Sequence, residues 1–567
     1  MRYSRKYIIL SILMLVFLFT KFQSSDSGRE QVKPFRGAVL RENIFAPLIA
    51  DSINEKTISL TVDAKSYQSD KMPIFMDESR NLMVPVRMLR DSFDCSAHLY
   101  DGNRLLVEKY SDEVMFSLNK KEVMVNQQKE KFSSGMCEIQ GEYYVPLEAL
   151  ANSLGYSYSW NIQENAAVTT SNRESNVSIV PSKYDLREKG RAPVIKDQGN
   201  HGTCWAFAAL SALESSMLPE MAYEFSPDHM SIQNSFALNQ DYGGDYTMGL
   251  AYLLAWQGPV LEKDDPYGDE KSDDMLRPVK HLQEVQIIQS KDFSKIKEAV
   301  FKYGGVQTSI YSSLKSSQSH SEFYNRKTNA YCYMGPEKPN HDVVIIGWDD
   351  NYPKENFPVD LEGDGAFICQ NSWGTDFGDD GVFYVSYYDT NIGIHNVVYT
   401  GIEETDNYNT IYQSDLCGWV GQLGFNDDYI WGANVYTAKA SENISAAGFY
   451  ALGTDTEYTV YFVNNFMGTD SFSEREKVAE GKLNNAGYYT IPFDIPVQVQ
   501  ENERFAVVVE LTTPDSVHPL AIEYAADETT ENVDLSDGEG YISIQGDVWE
   551  NVESKQGCNL CIKAYAK

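Results

Sequence analysis

Gln198, Cys204, His341 and Asn371 are the residues of this chain whose types and order could do covalent chemistry. A thiol attacks a carbonyl carbon efficiently only as its thiolate, so a base must take the proton. Histidine does this best when a third polar group fixes its ring. The oxyanion of the tetrahedral intermediate then needs a donor of its own. A cysteine, a histidine, an asparagine and a glutamine six residues before the cysteine supply all four needs. The predicted chemistry is acyl transfer through sulfur.

The elements that must position these groups are legible around them. Phe207, Leu210, Leu213 and Met217 recur at helical spacing in a run rich in helix formers, which predicts a buried helix starting at Cys204. A thiol at a helix N-terminus is expected to have a lowered pKa, because the macrodipole favours an anion there. Gly199 and Gly202 allow a tight turn that brings Gln198 beside the sulfur. Val343–Ile346 is a β-branched run ended by Gly347, so His341 should stand at the mouth of a strand. Phe367-Ile-Cys369 reads as a strand ending near Asn371. A helix over Phe293–Tyr303, a strand over 304–310 and a capped helix start at Phe225–Ser231 complete two lobes, one helical and one β-rich. His201 is read as a loop residue, because its short turn offers no orienting partner.

The flanking text sharpens the reading. Pro193-Val-Ile-Lys-Asp-Gln-Gly-Asn-His-Gly-Thr-Cys-Trp-Ala-Phe207, His341-Asp-Val-Val-Ile-Ile-Gly-Trp348 and Asn371-Ser-Trp-Gly-Thr-Asp-Phe-Gly378 resemble the signature segments of the papain family of cysteine peptidases. By that resemblance Cys204 is the nucleophile and His341 the base. Asn371 orients His341, and Trp373 shields their hydrogen bond and borders the substrate. The Gln198 side chain and the Cys204 backbone N–H form the oxyanion hole. Gly243 and Gly244 line the cleft with bare backbone that pairs with an extended substrate, and Tyr246 walls the main specificity pocket.

The family disulfide is missing: its two positions hold His201 and Asp241. Joint loss removes a cross-link typically worth ~2–4 kcal/mol without leaving an unpaired thiol. His201 and Asp241 facing each other as a charged pair is the expected substitute.

At 567 residues the chain should hold several domains, and its net charge of −35 argues against nucleic-acid binding. Arg2, Arg5 and Lys6 precede an apolar stretch over Tyr7–Thr20, so residues 1–25 read as an export signal. That stretch is shorter than the ~20 residues a span needs, yet no clean cleavage site follows, so a signal peptide and an uncleaved anchor both stand. A linker over 26–55 follows. Leu82-Met-Val-Pro-Val-Arg-Met-Leu89 recurs as Tyr143-Tyr-Val-Pro-Leu-Glu-Ala-Leu150, the mark of a duplicated α+β unit over 56–171. It is similar to the N-terminal stalk domain named from copper amine oxidases. Copper is not implied, since His98 has no neighbouring ligands at metal spacing. A spacer is the preferred reading, and a pro-region cleaved in the polar link 172–180 the alternative.

The peptidase-like segment spans 181–402. Short alternating runs separated by turn residues over 403–567 predict a β-sandwich, which resembles a lectin-like domain. The acidic stretch 349–364 matches no EF-hand spacing and reads as a solvated loop rather than a calcium site. Cys558 and Cys561 read as structural, with a bond from either to Cys417 as the expected pairing.

The fold class is therefore multidomain α+β: a two-lobed peptidase flanked by a duplicated α+β domain and a C-terminal sandwich. The function expected is an exported cysteine endopeptidase, secreted or cell-surface, acting on protein or peptide substrates without cofactor or metal. Cell wall or carbohydrate are the partners expected of the flanking domains. A surface adhesin with an inert peptidase fold and a cell-wall amidase are the competing readings.

Overall fold

A computed structural model describes residues 58–67, 73–161, 165–172, 179–536 and 538–567. The expected export segment 1–25, the linker 26–55 and most of the 172–180 link lie outside these residues. Among the described residues no helix is long and apolar enough to cross a membrane.

The two copies of the N-terminal repeat fold alike and meet. In each, a strand (Leu82–Pro85 and Glu142–Pro146) ends at proline, which lacks the N–H needed to extend a ladder, and a short helix follows (Leu89–Phe93 and Leu147–Ser153). The two strands pair antiparallel with Val84 opposite Val145. Leu89, Phe93, Leu147 and Leu150 then share one buried core. A five-stranded antiparallel sheet inserted between the copies covers that core.

The protease-like body is built on the Cys204–Met217 helix, which is buried on nearly all sides. Its alanines at 206, 208, 209 and 212 let it lie close against the His341–Asp349 and Asn396–Glu403 strands. The helices Pro227–Ile232 and Tyr246–Leu254 pack beside it to make the helical lobe. Ser226 caps the first of these, accepting the His229 N–H at 3.0 Å. The helix over Phe293–Lys302 and the strand Val306–Ile310 fall where the sequence puts them.

The C-terminal residues form a sandwich whose six-stranded sheet faces an extension of the protease sheet. One 13-stranded sheet among the described residues runs through both bodies. The joint is the strand His281–Ile287, which pairs with Asn396–Glu403 on one edge and with Ala486–Val499 on the other. Gly487 makes this closure possible: its φ is +151° and a Cβ would stand 1.9 Å from the Val285 carbonyl oxygen. The strand pairing thus protects an edge that would otherwise be open. Sequence periodicity showed the sandwich strands but not this continuity.

All eight cysteines are free thiols, which corrects the expected bond from Cys417 to Cys558 or Cys561. Cys417 and Cys561 each donate instead to a backbone carbonyl, of Ser235 and Gly418 respectively. The acidic stretch is spent on local contacts: Asp350 binds Lys297 and Tyr387, and Asp364 accepts from the Lys354 N–H.

Candidate active site

Three of the four candidate catalytic residues sit at the ends of elements. Cys204 opens its helix, His341 opens the strand that runs beside it, and Asn371 follows the strand Ala366–Gln370. Register links the last two, since Val344 pairs with Gln370. His341 Nε2 stands 2.7 Å from Asn371 Oδ1. The Ser372 backbone N–H donates to the same oxygen at 2.8 Å, which fixes it as the acceptor. The His341 proton therefore lies on Nε2, leaving a lone pair on Nδ1 that can accept a proton. Trp373 covers the ring with centroids 4.9 Å apart.

Gln198 is held at both ends of its amide. Its Oε1 accepts from Ser372 Oγ at 2.6 Å, and its Nε2 donates to the His201 carbonyl at 2.8 Å. One of the two amide N–H groups is left for a substrate oxygen. Gly199, at φ +64°, supplies the left-handed turn between Gln198 and the helix.

The cleft segment is pressed against this turn. A Cβ on Gly202 would meet the Gly243 nitrogen at 2.6 Å, and one on Gly244 would meet Trp205 Nε1 at 2.6 Å. His201 Nδ1 lies 2.9 Å from Asp241 Oδ1, so the two residues at the vacant disulfide positions do hold each other. Gly244 and Asp245 are exposed, while Tyr246 is half-buried against the His395 ring.

The electrostatics depart from expectation. Burial pushes the Cys204 thiol up to about 12, with nearby Asp342 adding to the rise and backbone hydrogen bonds opposing it. Burial likewise pulls His341 down to about 4, against the Asn371 hydrogen bond. A helix terminus is worth ~0.3–1 kcal/mol, less than one pKa unit, whereas full burial can shift a group by ~3–5 units. For both groups burial outweighs the other influences.

Asp342 is the functional candidate that sequence reasoning passed over. It is buried near Cys204 and accepts from Ser309 Oγ at 2.6 Å and Gln307 Nε2 at 3.1 Å. Burial raises its carboxyl to about 6. A carboxylate at the head of the apolar run 343–346 was the available signal, because buried charges need partners. Ser372 was likewise visible beside Asn371, but its role depends on where Gln198 lies.

Comparison with known proteins decides the family. Residues 180–402 match the family model described as papain family cysteine protease. The chain carries a papain-family cysteine protease domain. Residues 54–169 match the copper amine oxidase N-terminal domain, and residues 411–566 the lectin-like domain. Among solved structures, the protease domain and its C-terminal partner together resemble the clostridial cysteine protease Cwp84 after propeptide cleavage. That match has a TM-score of 0.61 at 26% identity and covers 68% of this chain and 99% of that one. The cysteine protease and lectin-like domains of Cwp84, a surface layer associated protein of Clostridium difficile, match with a TM-score of 0.60 at 25% identity, over 70% and 89% of the two chains. Pro-cathepsin H of Mus musculus is 27% identical over 237 residues, or 41% of this chain and 67% of the relative. Cathepsin K of Gallus gallus is 29% identical over 208 residues, or 36% and 58%. The chain thus spans between half and about two thirds of these curated relatives.

Proposed function

We propose that this chain is an exported endopeptidase that hydrolyses peptide bonds through Cys204, His341 and Asn371, with Gln198 in the oxyanion hole. The observation that carries the reading is the 2.7 Å contact of His341 Nε2 with Asn371 Oδ1, which leaves Nδ1 free to act as a base, on the strand packed against the helix that Cys204 opens. As Cys204 Sγ attacks the carbonyl carbon, its proton passes to His341 Nδ1. The carbonyl oxygen takes the negative charge and receives the Gln198 Nε2–H and the Cys204 N–H. His341 then protonates the leaving nitrogen, the C–N bond breaks and a thioester remains. Water, deprotonated by the same ring, releases the acid and restores the thiol.

Gly243 and Gly244 would pair with substrate backbone, and Tyr246 and Trp373 would border its side chains. The domain divisions 56–171, 181–402 and 403–567 serve this reading as stalk, catalytic body and ligand-binding sandwich. Export and a place at the cell surface are part of the proposal, supported by the basic-then-apolar N-terminus and by the surface-layer association of Cwp84. Carbohydrate or cell wall is the partner proposed for the C-terminal sandwich.

Hydrolysis of casein and of a peptide panel by the full chain, compared with Cys204→Ala, tests the reading. Turnover by the wild type and none by the variant is expected. Equal rates in both would overturn it.

A further inference from the structure

The C-terminal domain reaches the cleft. A cavity of about 1020 Å³ is lined by Gly243 and Gly244, by residues 526–531 of the C-terminal domain and by Trp419. A backbone hydrogen bond from the Ala237 N–H to the Thr529 carbonyl, 2.8 Å long, ties the two domains together. The turn at 527–530 is a capping box: the Asp527 side chain accepts from the Thr529 N–H at 2.8 Å, and Thr530 Oγ1 accepts from the Asp527 N–H. Such a turn is rigid enough to serve as a wall.

The lining is one-sided in charge. Asp245, Asp527, Glu528 and Glu531 line the cavity, all four exposed, and no lysine, arginine or histidine is among its lining residues. Tyr242, 78% exposed, and half-buried Trp419 add aromatic faces. No group of acidic, histidine or cysteine residues among the described ones is placed to share a metal ion.

We propose that the Asp527–Glu531 turn is a specificity wall through which the C-terminal domain selects peptide substrates bearing lysine or arginine in the stretch that lies along Gly243 and Gly244. This rests on the endopeptidase reading above and deepens it by naming the substrate class. The argument for a peptide, rather than a sugar, is continuity: the acidic wall lines the same cavity as the glycine backbone along which an extended chain would lie. Arginine and lysine stems would cover the aromatic rings while their charged ends meet the carboxylates. Like-charged acidic segments would be repelled from the same groove.

The test uses full-length protein and two labelled peptides of equal length, identical except for Lys/Arg or Glu at the flanking positions. Binding to Cys204→Ala reads the groove without turnover. The basic peptide is expected to bind about tenfold more tightly at 0.15 M salt, where charges interact over about 8 Å, and to lose most of that advantage at 1 M. The triple variant Asp527→Asn, Glu528→Gln, Glu531→Gln retains the capping turn and should bring the two affinities together, while alkylation of Cys204 proceeds at the wild-type rate. Equal binding of both peptides to Cys204→Ala, a preference unmoved by salt, or a preference retained by the triple variant would overturn the proposal. Displacement of the basic peptide by a neutral oligosaccharide but not by an acidic or basic competitor peptide would overturn it in favour of a sugar site. Absence of hydrolysis by the wild type would count against the endopeptidase reading alone, since the binding arms do not depend on it.

Discussion

Ser372 Oγ donates a 2.6 Å hydrogen bond to Gln198 Oε1, so the residue after Asn371 sets the orientation of the amide proposed for the oxyanion hole. One short segment therefore orients two groups, with Asn371 turned to the base and Ser372 to the donor.

Removing the donor and loosening it should differ in size. Gln198→Ala is expected to lower kcat by ~10²–10³ with little change in KM, as for other oxyanion donors. Ser372→Ala removes one supporting hydrogen bond, typically worth ~0.5–1.5 kcal/mol, and should lower kcat by up to about tenfold. Steady-state kinetics on one peptide checks both. A Ser372→Ala loss as large as that of Gln198→Ala would mean that Ser372 acts on substrate directly.

Asn371 holds the ring but does not carry the proton. Asn371→Ala should slow hydrolysis by roughly 10- to 100-fold, the scale of a hydrogen bond to a group that becomes charged. His341→Ala should abolish it. The thiol pKa of Asn371→Ala is expected to rise, because the imidazolium is less well supported. Alkylation of Cys204 by iodoacetamide across pH measures this, and an unmoved midpoint would exclude the orienting role.

Asp342 tests the electrostatics in the other direction. Its charge raises the Cys204 thiol pKa, so Asp342→Asn should move the alkylation midpoint of Cys204 downward. Ser309 and Gln307 can still bond an amide there, which keeps the site packed. A midpoint that stays or rises would show that the carboxylate is not sensed at the sulfur.

The stalk should loosen in acid. His98 Nε2 lies 3.1 Å from the Lys302 carbonyl and Nδ1 3.3 Å from Glu220, across the contact between stalk and protease domain. Burial, with Arg191 adding to it, pulls His98 down to about 3 from its ordinary 6.5. Burial makes the docked ring harder to protonate than the undocked one, so docking is most stable above pH 6.5 and weakens as pH falls toward 3. Hydrogen exchange at the Leu99 amide, which donates to Glu220 when docked, should accelerate over this window. His98→Gln should flatten the dependence.

The stalk should also leave the cleft open. Its contacts with the protease domain include Lys189, Glu220 and Lys302 and lie toward the C-terminal end of the Cys204 helix, away from the thiol. The chain without residues 1–25 is expected to hydrolyse small peptides about as fast as residues 178–567 alone. Strong activation on removing residues 26–177 would make that segment a pro-region, as a propeptide is cleaved in Cwp84.

Much of the site was legible in the sequence because it depends on local order. The helix opening at Cys204, the strand opening at His341 and the left-handed Gly199 all follow from spacing and residue type within a few positions. The repeat at Val84 and Val145 was equally plain, since duplication is a property of the text itself. The tertiary structure decided what depends on distance through space. Desolvation reversed the expected lowering of the thiol pKa, because burial is set by every element packed around the sulfur and not by the helix that begins there. The pairing of His281–Ile287 with Ala486–Val499, which turns two domains into one sheet, joins segments about 200 residues apart that no periodicity connects. Asp527 and Gly243, far apart in sequence, line one cavity, and only a folded chain can put that carboxylate there.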